Sequence, residues 1–371
     1  MLPQTPIPTL LFRTFAAKFN DRMKKALLIT FLGLFVFLQT FAQDKKPFIT
    51  LDNLQLNTRA DFTFDYYLGH DTVAPSSDHG FQGKYLVVAL DGTIGSKFSY
   101  HLRQRINAPN IGFANTFFQG TDWAYLDWHF TDNFSLSAGK QVVAIGGWEY
   151  DANPIDIYYG TEFWNTVCCY EVGGSLNFKD KSGKNHFLFQ VSNSPYINTA
   201  MEGIYAYNLM WYGNFGKFKT AYSVNMMEYQ PGKFINYIAL GNKLQFNGVE
   251  MYLDLIHRAE LGRQKFFGQY LTALFGIGVD IGPKWIVFAK AGYDYNPAKL
   301  PNTGAYDPND TPKEKVDFES IGFEYYPLTD RNLRLHLCGS HTSMDGISMF
   351  QANLGLTWKV DLLNAFVKKT K

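Results

Sequence analysis

The feature that most constrains this chain is a two-residue hydrophobic period that recurs from segment to segment. Side chains on a strand alternate between its two faces, so this period builds strands with one apolar face and one polar face. The first segment sets the pattern. Leu54, Leu56, Thr58, Ala60, Phe62, Phe64 and Tyr66 share one face, and Gln55, Asn57, Arg59, Asp61, Thr63 and Asp65 share the other. The run is long for a globular strand and suits a tilted membrane strand of about 9–11 residues with overhang. Phe98, Tyr100, Leu102 and Ile106 stand against Lys97, His101, Arg103 and Arg105. Further on, Val249, Met251, Leu253 and Leu255 oppose Glu250, Asp254 and Arg258. Near the end, Phe350, Ala352, Leu354, Leu356 and Trp358 oppose Gln351, Asn353, Thr357 and Lys359. One segment, Phe81 to Gly92, is apolar on both faces and does not declare its orientation.

About sixteen such strands can be counted, an even number, as closed bacterial barrels have. Asn247-Gly248 is the strongest two-residue hairpin signal. Long connections at 67–80, 108–120, 146–169, 193–203, 229–235, 258–269, 295–315 and 341–347 alternate with short turns. Short turns on one side and longer loops on the other are the pattern of an outer-membrane barrel. The predicted fold is all-β: a transmembrane antiparallel β-barrel of about sixteen strands, with a third extracellular loop folded inward.

The N-terminus reads as a secretory leader. Met23-Lys24-Lys25 is positive, Ala26 to Leu38 is apolar apart from Thr30 and Gly33, and Thr40-Phe41-Ala42 offers small residues at the cleavage positions. The apolar core is shorter than the ~20 residues of a spanning helix. The expected organisation is an upstream extension at 1–22, a signal peptide at 23–42 and the barrel at 43–371, exported to the outer membrane of a Gram-negative bacterium. Residues 1–42 hold five of the 34 basic side chains and one of the 33 acidic ones, so the remainder is net acidic. That balance disfavours a nucleic-acid partner. Three cysteines, Cys168, Cys169 and Cys338, are too few for a disulfide scaffold.

A barrel this wide is not filled by its own side chains and holds water. Its partners are then outer-membrane lipid and small hydrophilic solutes or ions, and no cofactor is called for. Inward Arg59, Arg103, Arg105, Lys243, Lys290 and Arg334 are expected to face that water, balanced by Asp61, Asp65, Glu250 and Asp254. Arg59 together with Lys97, His101, Arg103 and Arg105 forms a candidate pore-lining basic stripe. The third long connection is too aromatic for a flexible linker and too broken by Gly146, Gly147 and Pro154 for a regular element. Its aromatics suit packing on the inner wall. Trp148, Glu149, Tyr150, Asp151, Asp156 and Glu162 are the candidate constriction residues, and neutralising Glu149 and Asp156 should move permeability toward anions.

The run from Gly139-Lys140-Gln141-Val142-Val143-Ala144 into Gly146-Gly147-Trp148-Glu149-Tyr150-Asp151-Ala152-Asn153-Pro154-Ile155-Asp156 resembles the phosphate-selective porin O and P family, in its Bacteroidetes branch. Arg103-Gln104-Arg105 after Phe98-Ser99-Tyr100 fits the same pattern. The resemblance covers most of the chain beyond the leader. It implies a sixteen-stranded, often trimeric channel for anions such as phosphate, and hence a homotrimer here. The family's phosphate-binding members carry arginine and lysine clusters at the constriction, whereas the third loop here is acidic.

Two other classes have weaker support. A structural or adhesive barrel would lack channel activity. An outer-membrane hydrolase would need a hydroxyl beside inward His101, His129 or His336. No metal is called for: His70-Asp71, Asp78-His79, Asp307 and Asp310 read as solvated loop residues.

Overall fold

The computed structural model describes residues 48–68, 75–106, 120–167, 169–196, 203–260, 270–295, 315–344 and 347–367. Two compact units separate, Met1–Thr50 and Leu51–Lys371. The first is described only at residues 48–50, so the expected leader and upstream extension lie outside the described residues.

Sixteen strands follow one another. The first eight are β1 (Ile49–Leu68), β2 (Ser76–Ile94), β3 (Phe98–Arg105), β4 (Thr121–His129), β5 (Phe134–Val142), β6 (Tyr170–Lys179), β7 (Asn185–Asn193) and β8 (Tyr205–Phe215). The second eight are β9 (Phe218–Gln230), β10 (Lys233–Phe246), β11 (Val249–Glu260), β12 (Leu271–Asp280), β13 (Trp285–Tyr295), β14 (Lys315–Tyr325), β15 (Leu333–Met344) and β16 (Ile347–Asp361). Each pairs with its neighbours in sequence, and β1 pairs antiparallel with β16 from Gln55↔Asp361 to Leu68↔Ser348, which closes the ring. Closure leaves no sheet edge, as a sheet in hydrocarbon requires.

The faces are inverted relative to a globular sheet. Leu209, Val224, Leu354 and Trp358 are each more than half exposed, while Asn208, Asn225 and Thr357 are at most 1% exposed. The apolar parity of each strand thus points outward and the polar parity inward. At the short-turn end, ring contacts run in series from Phe98 through Trp128, Phe130, Phe134, Phe178 and Phe187 to Trp211. Such a girdle marks a membrane interface. Leu354→Arg, on the lipid face of β16, is expected to cost about 2–4 kcal/mol, read by denaturant unfolding in vesicles.

Two connections expected from the sequence to be long are occupied mostly by strand. β9 ends at Gln230 and β10 begins at Lys233, so 229–235 is a continuous hairpin with Gly232 at φ 74°. β15 likewise ends at Met344 and β16 begins at Ile347. The strands continue past the predicted ends because their upper inward positions have something apolar to pack on. Met227, Tyr229, Ile235 and Tyr237 join Val143, Ile145, Phe163, Tyr196 and Ile204 in a buried apolar cluster. This is a dry core inside the upper part of the ring, where alternation alone implied water. Pairing also orients β2: Val87, Ala89 and Asp91 stand opposite Arg105, Arg103 and His101 and share their inward face.

Candidate functional site

The connection between β5 and β6 carries α1 (Trp148–Asp151), a 3-10 turn (Pro154–Asp156) and α2 (Glu162–Thr166). Its entry is stitched to the wall. Gln190 Oε1 accepts from the Ala144 N–H at 2.9 Å, and Asn225 Nδ2 donates to the Ala144 carbonyl at 2.7 Å. The Gly146 N–H donates to Ser223 Oγ at 2.8 Å. The glycines here are a matter of clearance. A Cβ on Gly146 would come within 2.5 Å of the Ala221 carbonyl oxygen, and one on Gly241 of β10 within 2.8 Å of Gly147 Cα. Backbone therefore lies directly on backbone where the loop meets β9 and β10.

Asp254, buried on β11, then takes the start of α1. Its Oδ2 accepts from the N–H groups of Trp148 and Glu149 at 2.8 and 2.9 Å. These donors have no partner inside the helix, so a carboxylate satisfies both. Glu149 turns to the other side of the segment. It pairs with Lys290 of β13 at 2.7 Å and accepts from the Thr161 hydroxyl at 2.5 Å, with Glu149 buried and the Lys290 side chain 10% exposed. Lys290 also donates to the Tyr159 carbonyl. Thr161 Oγ1 accepts from the Trp164 N–H and so caps α2.

The C-terminal half is held by cations. Arg59 of β1 donates to the carbonyls of Ile157 and Ile155 at 2.6 and 3.2 Å, and its charge is met by Asp61 at 2.7 Å. Arg334 of β15 pairs with Asp156 at 2.8 Å, and Lys359 of β16 pairs with it at 3.2 Å. The Tyr158 ring lies 4.7 Å from the Arg59 guanidinium and 5.3 Å from that of Arg334, and it stacks on His336 at 4.1 Å. Burial pushes the Tyr158 phenol far above its ordinary range, against the pull of Arg334, so it stays protonated and donates to Glu324 at 2.5 Å.

The candidate constriction residues therefore separate. Glu149 and Asp156 are paired with lysines and arginine. Tyr150 is buried in the apolar cluster, and Trp148 lies under Lys243 at 4.3 Å. Asp151 is exposed and accepts from the Tyr212 hydroxyl at 2.9 Å. The Glu162 side chain lies outside the described residues. The basic stripe separates as well. Arg59, Arg103 and Arg334 are no more than 5% exposed, which corrects the expectation that they face open water. The cause is the loop, which covers them. Arg103 donates to Asn153 at 2.8 Å and shares Asp122 of β4 with Arg105, at 3.2 and 2.9 Å. His101 lies between Asp91 and Asp127, and Lys97 is exposed in the β2–β3 turn. A cavity of 320 Å³ lies between the loop and the wall, lined by Arg103, Trp123, Asp151, Asn153, Trp164, Tyr170 and Tyr212 among others.

The residues that sequence reasoning undervalued are Asp254, Tyr212, Glu324 and Lys359. Their inward parity was readable, but their partners on the loop were not. Among the described residues, no cluster of His, Cys, Asp or Glu could hold a metal ion. Asp78 accepts from the backbone of His79, whereas His70, Asp71, Asp307, Asp310 and Cys168 lie outside the described residues. Ser99 Oγ is 2.9 Å from His129 Nε2. Among the described residues no carboxylate bonds the other ring nitrogen, so the third member of a nucleophilic triad is missing.

Residues 53–211 match the family model for phosphate-selective porin O and P. The match runs from β1 into β8. No curated protein matches the chain in sequence. Among solved structures, the outer-membrane channel DcaP of Acinetobacter baumannii aligns with a TM-score of 0.60 at 12% identity, over 86% of this chain and 99% of that one. The anion-selective porin from Comamonas acidovorans aligns with a TM-score of 0.57 at 10% identity, over 84% and 100%. Outer-membrane expressed OmpT of Vibrio cholerae aligns with a TM-score of 0.53 at 12% identity, over 85% and 99%. At these identities the likeness is one of fold. The family match over residues 53–211 and this shared barrel support a channel for passive diffusion across the outer membrane.

Proposed function

We propose that solutes pass between the third loop and the wall formed by β3 to β8, with the loop acting as the constriction. The observation that carries this reading is the one-sided ion pairing of the loop. Its ion pairs run to β13, β15 and β16, and Arg59 of β1 bonds its carbonyls, while the cavity and hydrogen-bonded contacts alone lie on the side of β3 to β8. Glu149 and Asp156 are consumed by that anchoring, so the acidic composition of the loop does not become an acidic ring. The charges left near the passage are Asp151 on the loop and, on the wall, two arginines sharing one aspartate. These charges balance in number, and Arg105, the more exposed of the two guanidiniums, is the group through which small anions are favoured.

Arg105 reaches Asp122 with a side chain that is 30% exposed, so it acts on ions at little cost to the fold. Arg105→Gln is expected to shift the reversal potential in asymmetric salt toward cations, with conductance nearly unchanged. An unmoved potential would place the passage elsewhere. Glu149→Gln with Asp156→Asn leaves Lys290 and Lys359 without their carboxylates, so the expected shift toward anions arises from released cations. The structural or adhesive alternative predicts no stable conductance steps from purified protein in planar bilayers. Export through cleavage of residues 23–42 predicts a mature N-terminus at Gln43, read by mass spectrometry. Assembly as a homotrimer is supported by the trimer form of Vibrio cholerae OmpT.

A further inference from the structure

The lipid-facing surface of β14 and β15 departs from the rest of the belt. Outward positions on β14 run Tyr325, Phe323, Ile321 and then Glu319, Asp317 and Lys315. The climb from Tyr325 to Glu319 is on the order of 15 Å at ~3.3 Å per residue and a tilt of ~40°, within an apolar band about 25 Å tall. Glu319 nevertheless faces outward there, bonded through Oε1 to His341 Nδ1 of β15 at 2.8 Å. Charge on the lipid face of a barrel is unfavourable. Directly below, Ile321 is 64% exposed and stands opposite Gly339, where an added Cβ would meet nothing within 4 Å. Gly339 floors a hollow of 520 Å³ bordered by Phe64, Phe350 and Ala352.

A projecting side chain thus stands beside an empty site, and a carboxylate beside an imidazole, in two successive rows of the same strand pair. We propose that this face is a contact between two copies of the chain, related by a two-fold axis along the membrane normal between β14 and β15. That operation sets β14 of each copy against β15 of the other. Ile321 of each copy then enters the Gly339 hollow of the other. Glu319 of each reaches the other's His341 through Oε2 and Nε2, the atoms that the bond within each chain leaves over. A lipid tail could fill the hollow, but it offers nothing to Glu319 or His341, which favours a second copy as the occupant. This contact differs from the head-to-tail contacts that close a three-fold ring, and it does not depend on one.

The test uses full-length chains with Cys168, Cys169 and Cys338 replaced. Two differently tagged versions are expressed together, one carrying Ile321→Cys and the other Gly339→Cys. Mild oxidation of intact outer membranes is expected to give a disulfide-linked pair bearing both tags. A control with Leu253→Cys on β11 in place of Gly339→Cys should give none. Folded barrels, shown by unchanged conductance, that yield no two-tag pair above the control overturn the proposal. Independently, Gly339→Phe fills the hollow and is expected to abolish the β14–β15 contact, read as loss of crosslinking between chains carrying Ser343→Cys and Asp317→Cys. Crosslinking that persists, or a lipid retained in the hollow of single barrels, would also overturn it.

Discussion

Lys290→Met is expected to release the centre of the third loop and raise single-channel conductance several-fold. The lysine is the cation for buried Glu149 and also donates to the Tyr159 carbonyl, so it ties both arms of the loop to β13. Removing one partner of a buried ion pair leaves the other charge uncompensated, typically at a cost of about 3–5 kcal/mol. Glu149 keeps only neutral donors on Thr161, which do not replace a cation. The loop relieves the penalty by moving Glu149 into water, which takes it off the wall and widens the passage. The measurement is conductance in planar bilayers, and an unchanged value would mean that the remaining anchors hold the loop. Lys290→Met with Glu149→Gln should recover most of the wild-type conductance, because no buried charge is then left over.

Asp254→Ala is the second large effect expected. The substitution leaves the N–H groups of Trp148 and Glu149 without an acceptor where the loop crosses β11. Each buried orphan donor costs about 1–3 kcal/mol. The expected result is a noisier open channel with brief excursions to higher conductance, reflecting loss of the fixed start of α1. Asp254→Asn keeps an acceptor oxygen and should fall between the two. A quiet wild-type trace from Asp254→Ala would mean that the glycine contacts with β9 and β10 hold this end alone.

Much of the fold was legible because its driving force is local. Each strand carries its own alternation, and with lipid outside, the apolar parity needs no partner to declare itself outward. The upper limits of β9, β10, β15 and β16 were not legible, because those rows are stabilised by packing on distant segments. Tyr229 and Ile235 read as loop until Ile145 and Phe163 join them in the buried cluster. The third loop was recognisable from Gly146, Gly147, Trp148 and Pro154, but its charge was misleading. Counting carboxylates made it an acidic constriction, whereas Glu149 and Asp156 are ion-paired with Lys290, Arg334 and Lys359.

The sequence by itself determined the barrel and its inverted faces, since alternation, turns and composition are written into contiguous residues. Only the tertiary structure decided which charges remain available to a passing ion. Lys290, Arg334 and Lys359 lie on three different strands, and Glu149 and Asp156 meet them only after the ring has closed and the loop has crossed it. Electrostatic pairing at contact distance depends on that closure, and no local pattern in the chain encodes it.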